Sequence, residues 1–155
     1  MSTLSVDTIT GQTVAGNVKM PAGHVIQLKS MSSNADNSYT SSSYTNTAFT
    51  LSITPKYNTS KIYVMWFAEV TVQGDTNFHL RLDRGGTNIF TPFLGAGNFG
   101  SGNQHGHGYA FNYLDSPATT NSTTYTVQVA ENSSGTIRIA GEAGGGSLTL
   151  MEIAQ

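Results

Sequence analysis

One run of residues, Lys61 to Val72, constrains the fold more than any other stretch of the chain. Tyr63, Met65 and Phe67 alternate with a second set of apolar residues, so that both faces of an extended strand are apolar over the first half of the run. The second set comprises Ile62, Val64, Trp66, Ala68, Val70 and Val72. Because a strand with one face in water alternates apolar and polar residues, this strand must be covered on both faces, either within one domain or by another copy of the chain.

A buried helix is the rival interpretation of this run. β-Branched and aromatic residues dominate it, however, and turn-forming residues stand on both sides, at Asn58-Thr59-Ser60 and at Gly74-Asp75. These features favour a central strand. The run also contains the only tryptophan, Trp66. We therefore take it as the core strand of an all-β domain.

The composition agrees with a single β-rich domain. A chain of 155 residues is long enough for one core and buries roughly two-thirds of its unfolded surface. Charged residues make up 10% of the chain, well under the ~25% of ordinary globular proteins. Serine, threonine, asparagine and glycine take their place, which is typical of β-rich surfaces.

Charge and cysteine content exclude several functions. A net charge of -2 and a pI near 6.0 provide no basic field, so we expect no binding to nucleic acid through phosphate neutralisation. The chain has no cysteine, which removes disulfides, cysteine-ligated zinc and thiol catalysis. No signal-like start and no apolar run near the ~20 residues of a membrane helix are seen. We expect a soluble protein without membrane insertion.

The first 23 residues differ from the remainder of the chain. Their apolar residues are scattered among serine and threonine: Leu4, Val6, Ile9 and Val14. Such a segment has too little apolar area to fold alone, so if it is ordered it must lie on a partner or wind with its own copies. We predict an attachment or trimerisation arm over residues 1–23 and a β domain over residues 24–155.

Within the β domain, short strand patterns follow one another. Val25 to Lys29 predicts a first strand, and the hydroxyl-rich run from Met31 to Tyr44 predicts a long, exposed connection. The glycine-rich stretch from Gly95 to Gly108 is predicted as a loop, and Arg84-Gly85-Gly86-Thr87 as a tight hairpin turn. Eight or nine strands with regular turn signals indicate an antiparallel β-sandwich or jelly roll.

Several motifs resemble those of known structural proteins. They are Leu4-Ser-Val-Asp-Thr-Ile-Thr-Gly, Met20-Pro-Ala-Gly-His-Val-Ile-Gln, Leu114-Asp-Ser-Pro-Ala-Thr-Thr, Thr124-Tyr-Thr-Val-Gln-Val and Leu148-Thr-Leu-Met-Glu-Ile-Ala. Together they span nearly the whole chain. The chain thereby resembles tail-fibre or virion-fibre proteins of tailed phages, especially marine and cyanobacterial ones.

The resemblance implies a location and partners. In that family a short N-terminal segment attaches to the particle, and a C-terminal β domain is displayed outward, commonly as a homotrimer. It therefore implies a virion protein that contacts other virion proteins and binds a host-surface glycan or protein. The chain has no extended shaft after residue 23. A tail fibre, a short fibre, a spike and a capsid decoration all stay open.

Subunit contacts are predicted on the second face of the central strand. Tyr63, Met65 and Phe67 show no pattern that suits solvent, so we expect them in the interface of the trimer. Aromatic residues beside polar loops are candidates for a receptor surface, since they supply contact area with little loss of entropy. These candidates are Tyr39, Tyr44, Phe99 and Tyr109.

His105 and His107 form the sharpest chemical signal. In an extended segment residues i and i+2 point the same way, so two imidazoles could bind one transition metal, and three chains around an axis would offer six. The alternative is a solvated histidine pair in a flexible glycine-rich loop, and we favour it because no further ligand is evident. We accordingly expect no cofactor, with an axial metal as the alternative.

The acidic residues do not form a recognisable catalytic pair. Each fits a turn, a cap or a solvated face, and Asp115, next to Ser116 and Pro117, is interpreted as an Asx-type turn residue. We therefore expect a structural protein and not an enzyme. A fold can bring distant carboxylates together, so a glycan-degrading spike stays as one alternative hypothesis. A free lectin-like carbohydrate-binding module is the other.

Overall fold

The computed structural model describes residues 20–96, 104–140 and 144–155, with only the backbone of Gln104 and His105. Ten strands and no helix lie in these ranges. The strands are β1 Val25–Ser33, β2 Asn37–Tyr39, β3 Thr45–Ile53, β4 Lys61–Gln73, β5 Phe78–Arg84, β6 Thr87–Ala96, β7 Gln104–Asp115, β8 Thr123–Glu131, β9 Thr136–Ile139 and β10 Gly146–Ile153. The predicted all-β class is confirmed. It follows that no helix of the described ranges could span a membrane.

The strands form two antiparallel sheets that pack as a sandwich. The six-stranded sheet has the order β1-β10-β4-β9-β2, with β7 paired to β4, and the four-stranded sheet has the order β3-β8-β5-β6. β7 pairs with β4 from Ile62 to Gln73. β10 and β9 share the other edge of β4, because β10 begins opposite Ala68 and β9 ends opposite Val70. The run singled out in the sequence is therefore the central strand.

One face of β4 forms the middle of the core, as its alternation predicts. All six residues of that face are buried: Ile62, Val64, Trp66, Ala68, Val70 and Val72. The Trp66 indole lies between two rings, with its centroid 5.9 Å from Phe49 and 5.3 Å from Phe111. Phe49 belongs to the four-stranded sheet, so this aromatic stack joins the two layers.

The hairpin between β5 and β6 is confirmed. Its two central residues, Gly85 and Gly86, have φ angles of 57° and 94°. Two successive positive φ angles are those of a type I′ turn, whose twist matches that of the flanking strands. The carboxylate of Asp83 accepts a hydrogen bond from the Gly86 N–H at 2.8 Å and stabilises this turn.

The connection predicted from Met31 to Tyr44 is partly wrong. β1 continues to Ser33, opposite Gly146 of β10, and the short β2 pairs with β9. Met31 packs against the core and Tyr39 is buried. The sequence of these strands is rich in serine and asparagine, which are unfavourable in strands and typical of loops. The strands form nevertheless, because a few apolar residues face inward while the short polar residues face outward.

The loop predicted from Gly95 to Gly108 is also too long. β6 extends to Ala96 and β7 begins at Gln104, so only residues 97–103 lie between them. β7 is a strand despite its glycines because each of its residues from Gln104 to Asp115 pairs with β4. Backbone pairing with a strong central strand offsets the low strand propensity of glycine.

Backbone hydrogen bonds connect the residues before β1 to the residue after β10. The Gly23 N–H donates to the Ala154 carbonyl at 2.9 Å, and the Ala154 N–H donates to the His24 carbonyl at 2.9 Å. The start of the β domain is thereby tied to its last strand. The apolar residues assigned to the arm, which are Leu4, Val6, Ile9 and Val14, lie outside the described residues.

Candidate functional site

The face of β4 opposite the core lies on the surface of the six-stranded sheet. There the side chain of Met65 is 36% exposed and that of Phe67 is 48% exposed, and Tyr63 is half-buried. The described residues therefore leave the second apolar face of the central strand open to solvent. Of the two coverings expected from the sequence, the described residues do not provide burial of this face within one domain.

Neighbouring strands extend this apolar surface. Tyr63 lies opposite Met151 of β10 and Leu114 of β7, and Leu28 of β1 lies opposite Met151. Leu28 and Leu114 are 57% and 48% exposed. An apolar row thus crosses four strands. We call this surface the outer strip and define it by six residues: Leu28, Tyr63, Met65, Phe67, Leu114 and Met151.

The outer strip contains an open groove of about 360 Å³. Met65 and Phe67 provide its apolar walls, and Asn112 and Thr149 flank Met65 on the neighbouring strands. The floor is the sheet itself. The lining side chains of the groove are therefore apolar or neutral polar, and none of them is charged.

Two glycines of β7 lie at the end of the outer strip that contains Phe67. A Cβ atom on Gly108 would lie 3.1 Å from the Phe67 ring, and one on Gly106 would lie 2.6 Å from Oε1 of Glu69. The absence of side chains at these positions lets both residues of β4 lie against β7. Beyond Phe67 the outer face becomes polar, with Glu69 and then Thr71, so the apolar surface ends there.

The outer face of the four-stranded sheet is polar, and one cross-strand ladder stands out. Arg81 of β5, Gln128 of β8 and Asn46 of β3 lie in register. Nε of Arg81 donates to Oε1 of Gln128 at 2.6 Å, and Nε2 of Gln128 donates to Oδ1 of Asn46 at 2.6 Å. The guanidinium carbon of Arg81 also lies 4.0 Å from the centroid of the Tyr44 ring. We call these four residues the Arg81 ladder.

The predicted receptor aromatics do not form one surface. Tyr39 is buried in the core, and burial raises the pKa of its hydroxyl. Tyr109 is half-buried, with its ring 4.9 Å from Phe78, and burial raises the pKa of its hydroxyl too. Tyr44 is the one described candidate on an outer face, and Phe99 lies outside the described residues.

The histidine pair lies on a strand and not in a loop. His105 and His107 belong to β7, opposite Val72 and Val70 of β4. Of the two, His107 has a described side chain; it is exposed, and its ring centroid lies 6.5 Å from that of Tyr109. No cluster of three or more potential metal ligands occurs among the described side chains.

The interpretation of Asp115 as a turn residue is wrong. Its carboxylate is nearly buried, accepts a hydrogen bond from the Tyr125 hydroxyl at 2.6 Å, and forms an ion pair with Arg84 at 2.8 Å. Asp115 belongs to β7, whereas its two partners belong to the four-stranded sheet. Burial, followed by the hydrogen bond to Asp115, raises the pKa of Tyr125. The carboxylate therefore links the two layers.

Sequence reasoning missed most of both surfaces. Leu28, Leu114 and Met151 join the outer strip through strand pairing that residues distant in the chain do not reveal. The alternation of β5 places Arg81 on a solvent-facing side. Gln128 and Asn46, however, lie 47 and 35 positions away in the chain, each on a different strand. A usable signal existed in the rarity of arginine, since the chain has only three: Arg81, Arg84 and Arg138.

No family profile and no curated protein matches the chain. Solved structures of viral proteins are similar to the chain. The infectious bursal disease virus VP2 subviral particle matches with a TM-score of 0.47 and 10% identity, over 96% of this chain and 43% of that chain. The Gt strain of infectious bursal disease virus matches with a TM-score of 0.46 and 9% identity, over 100% of this chain and 43% of that chain.

The chain therefore spans less than half of these viral proteins.

Proposed function

We propose that the chain is a non-enzymatic structural subunit of a virus particle, and that it associates with its own copies through the outer strip. The supporting observation is the apolar row across four strands of the six-stranded sheet. The motifs that resemble those of phage fibre proteins suggest the virion context, and the expected assembly is the homotrimer common in that family.

The chemistry of the outer strip favours a second copy as its occupant. Three rows of the outer face, from Leu28 to Leu114, Ser30 to Asn112 and Ser32 to Ala110, contain no charged residue. Two or three identical surfaces without charge meet without like-charge repulsion, and charged residues are depleted in interface cores. Covering exposed apolar area contributes roughly 25 cal/mol per Å².

We extend the proposal to the two ends of the subunit. The arm, through Leu4, Val6, Ile9 and Val14, would attach to other virion proteins or wind with its copies. The four-stranded sheet, on the opposite side from the outer strip, would face outward and contact a host-surface glycan or protein. This arrangement leaves the polar outer face of that sheet available while the apolar face is covered.

Charges placed in the outer strip should dissociate the subunits. For the double variant Met65→Lys and Phe67→Lys we expect a monomer by light scattering at micromolar concentration, and for the unmodified protein a trimer. The far-ultraviolet circular dichroism should be unchanged, because both side chains are partly exposed in the subunit. Covering two ammonium groups without partners costs several kcal/mol and outweighs the apolar gain.

A matched control adds the same two charges elsewhere. Thr50→Lys and Ser52→Lys lie on the outer face of the four-stranded sheet, where Thr50 pairs with Thr126 and Ser52 with Thr124. This variant should stay trimeric. A monomeric unmodified protein, or equal masses for both double variants and the unmodified protein, would contradict association through the outer strip.

The arm gives a separate test of the virion role. Replacing Leu4, Val6 and Ile9 together by serine should leave thermal unfolding of the β domain nearly unchanged and lower its occupancy on particles. The physical reason is that ordering each backbone residue costs roughly 1–2 kcal/mol, which burial of these side chains on a partner must offset. Loss of the fold, or normal incorporation into particles, would show that the arm does not serve attachment.

A further inference from the structure

We propose that the Arg81 ladder binds an acidic sugar, with the guanidinium of Arg81 holding a carboxylate or sulfate group of the glycan. The inference rests on the proposed host-surface role and names the chemical class of its ligand. It is drawn from the orientation of Arg81, from the absence of a carboxylate partner among the described residues, and from the hydroxyl groups beside it.

Arg81 is held in one orientation from two sides. Its Nε donates to Gln128, which is held in turn by Asn46, and its plane lies 4.0 Å from the centre of the Tyr44 ring. Both contacts leave the terminal Nη1 and Nη2 atoms without a hydrogen bond to any described residue. A guanidinium fixed in this way presents two parallel N–H donors, which match the two oxygens of a carboxylate or sulfate.

The other two arginines of the chain differ from Arg81. Arg84 is paired with Asp115, and Arg138 is paired with Asp36. Within the described ranges Arg81 has no acidic partner within ion-pair distance. Asp83 lies two positions further along the same face, but its Oδ1 accepts the Gly86 N–H. Arg81 is thus the arginine whose charge is available to a ligand.

The surface next to the ladder suits a sugar ring. Two pairs of hydroxyl groups cross from β3 to β8: Thr50 to Thr126 at 3.3 Å, and Ser52 to Thr124 at 2.7 Å. These hydroxyls both donate and accept, as the hydroxyl groups of a sugar require. A nucleic acid is disfavoured as the ligand, because the net charge of -2 provides no field to attract a phosphate chain.

The test compares an acidic oligosaccharide with its neutral counterpart. Trigalacturonic acid and its methyl ester share the same sugar rings and differ in charge. By calorimetry or glycan array, the unmodified protein should bind trigalacturonic acid, or sulfated dextran if the anion is a sulfate, and should bind neither the methyl ester nor neutral dextran. The acidic glycan that binds identifies the source of the anionic group.

Two variants distinguish the effect of the bidentate contact made by Arg81 from the effect of losing one positive charge. Arg81→Gln should weaken binding by about tenfold or more, the effect of losing one charge-assisted bidentate contact. Lys29→Gln, an exposed position on the other sheet, removes the same charge and should change the affinity less than about twofold, because a distant surface charge is screened. Both variants should retain the melting temperature of the unmodified protein.

Either of two results would overturn the proposal. One is that the unmodified trimer binds neither trigalacturonic acid nor sulfated dextran. The other is that Arg81→Gln and Lys29→Gln weaken binding equally. If the protein is trimeric in either case, the assembly role is unaffected and the ligand site alone is refuted.

Discussion

Replacing Trp66 by alanine is expected to lower the free energy of unfolding by about 3–5 kcal/mol, the usual cost of removing a large buried aromatic side chain. The free energy of unfolding of natural domains is roughly 5–15 kcal/mol, so this substitution removes a large part of it. The cost should lie at the upper end because Trp66 fills the space between Phe49 and Phe111 at the contact of the two sheets. Denaturant unfolding followed by far-ultraviolet circular dichroism measures it.

Trp66→Phe is the matched control. The indole Nε1 has no hydrogen-bond partner in the described part of the protein, so phenylalanine loses no polar contact. We expect a cost of about 1 kcal/mol, from the smaller ring volume alone. If Trp66→Ala unfolds at the same denaturant concentration as Trp66→Phe, the aromatic stack does not determine the stability of the core.

Removing the carboxylate of Asp115 is expected to cost about 2–3 kcal/mol of unfolding free energy. Breaking a fully buried ion pair typically costs ~3–5 kcal/mol. The lower value applies here because the side chain of Arg84 is 30% exposed and is partly solvated once unpaired. Asp115→Ala also removes the acceptor of the Tyr125 hydroxyl, which leaves a buried donor unsatisfied. Thermal or denaturant unfolding measures the loss.

Asp115→Asn tests the source of that cost. Asparagine keeps an oxygen acceptor for Tyr125 but loses the charge opposite Arg84, so its cost should be smaller than that of alanine. Unchanged stability of Asp115→Ala would show that this contact does not hold the two sheets together.

Because of the contact between Asp115 and Tyr125, we expect the protein to lose stability at alkaline pH. Burial and the hydrogen bond to Asp115 raise the pKa of Tyr125 above its ordinary value. The folded state therefore keeps the phenol proton where the unfolded chain releases it, above about pH 10. Stability is fully present below that pH and falls as the pH rises through it. In Asp115→Asn one of the two causes is gone, so the fall in melting temperature between neutral and alkaline pH should be smaller.

Local sequence pattern determined the central strand and its two faces. The alternation from Lys61 to Val72 predicts both the buried face around Trp66 and the apolar second face at Met65 and Phe67, and the structure places them so. Gly85-Gly86 likewise predicts its hairpin. These features were predictable because each depends on the side-chain period of one strand, or on the φ angles of one turn, and both are encoded by adjacent residues.

The tertiary structure alone decided which strands lie side by side. The extent of the outer strip follows from β1, β10 and β7 pairing around β4, and the Arg81 ladder follows from β5, β8 and β3 coming into register. Glycine-rich β7 is a strand through its pairing with β4, against its own propensity. Asp115 likewise binds Arg84 and Tyr125 across the sandwich, although its sequence neighbours suggest a turn. Pairing and packing join residues far apart in the chain, and their energies depend on neighbours that no local pattern identifies.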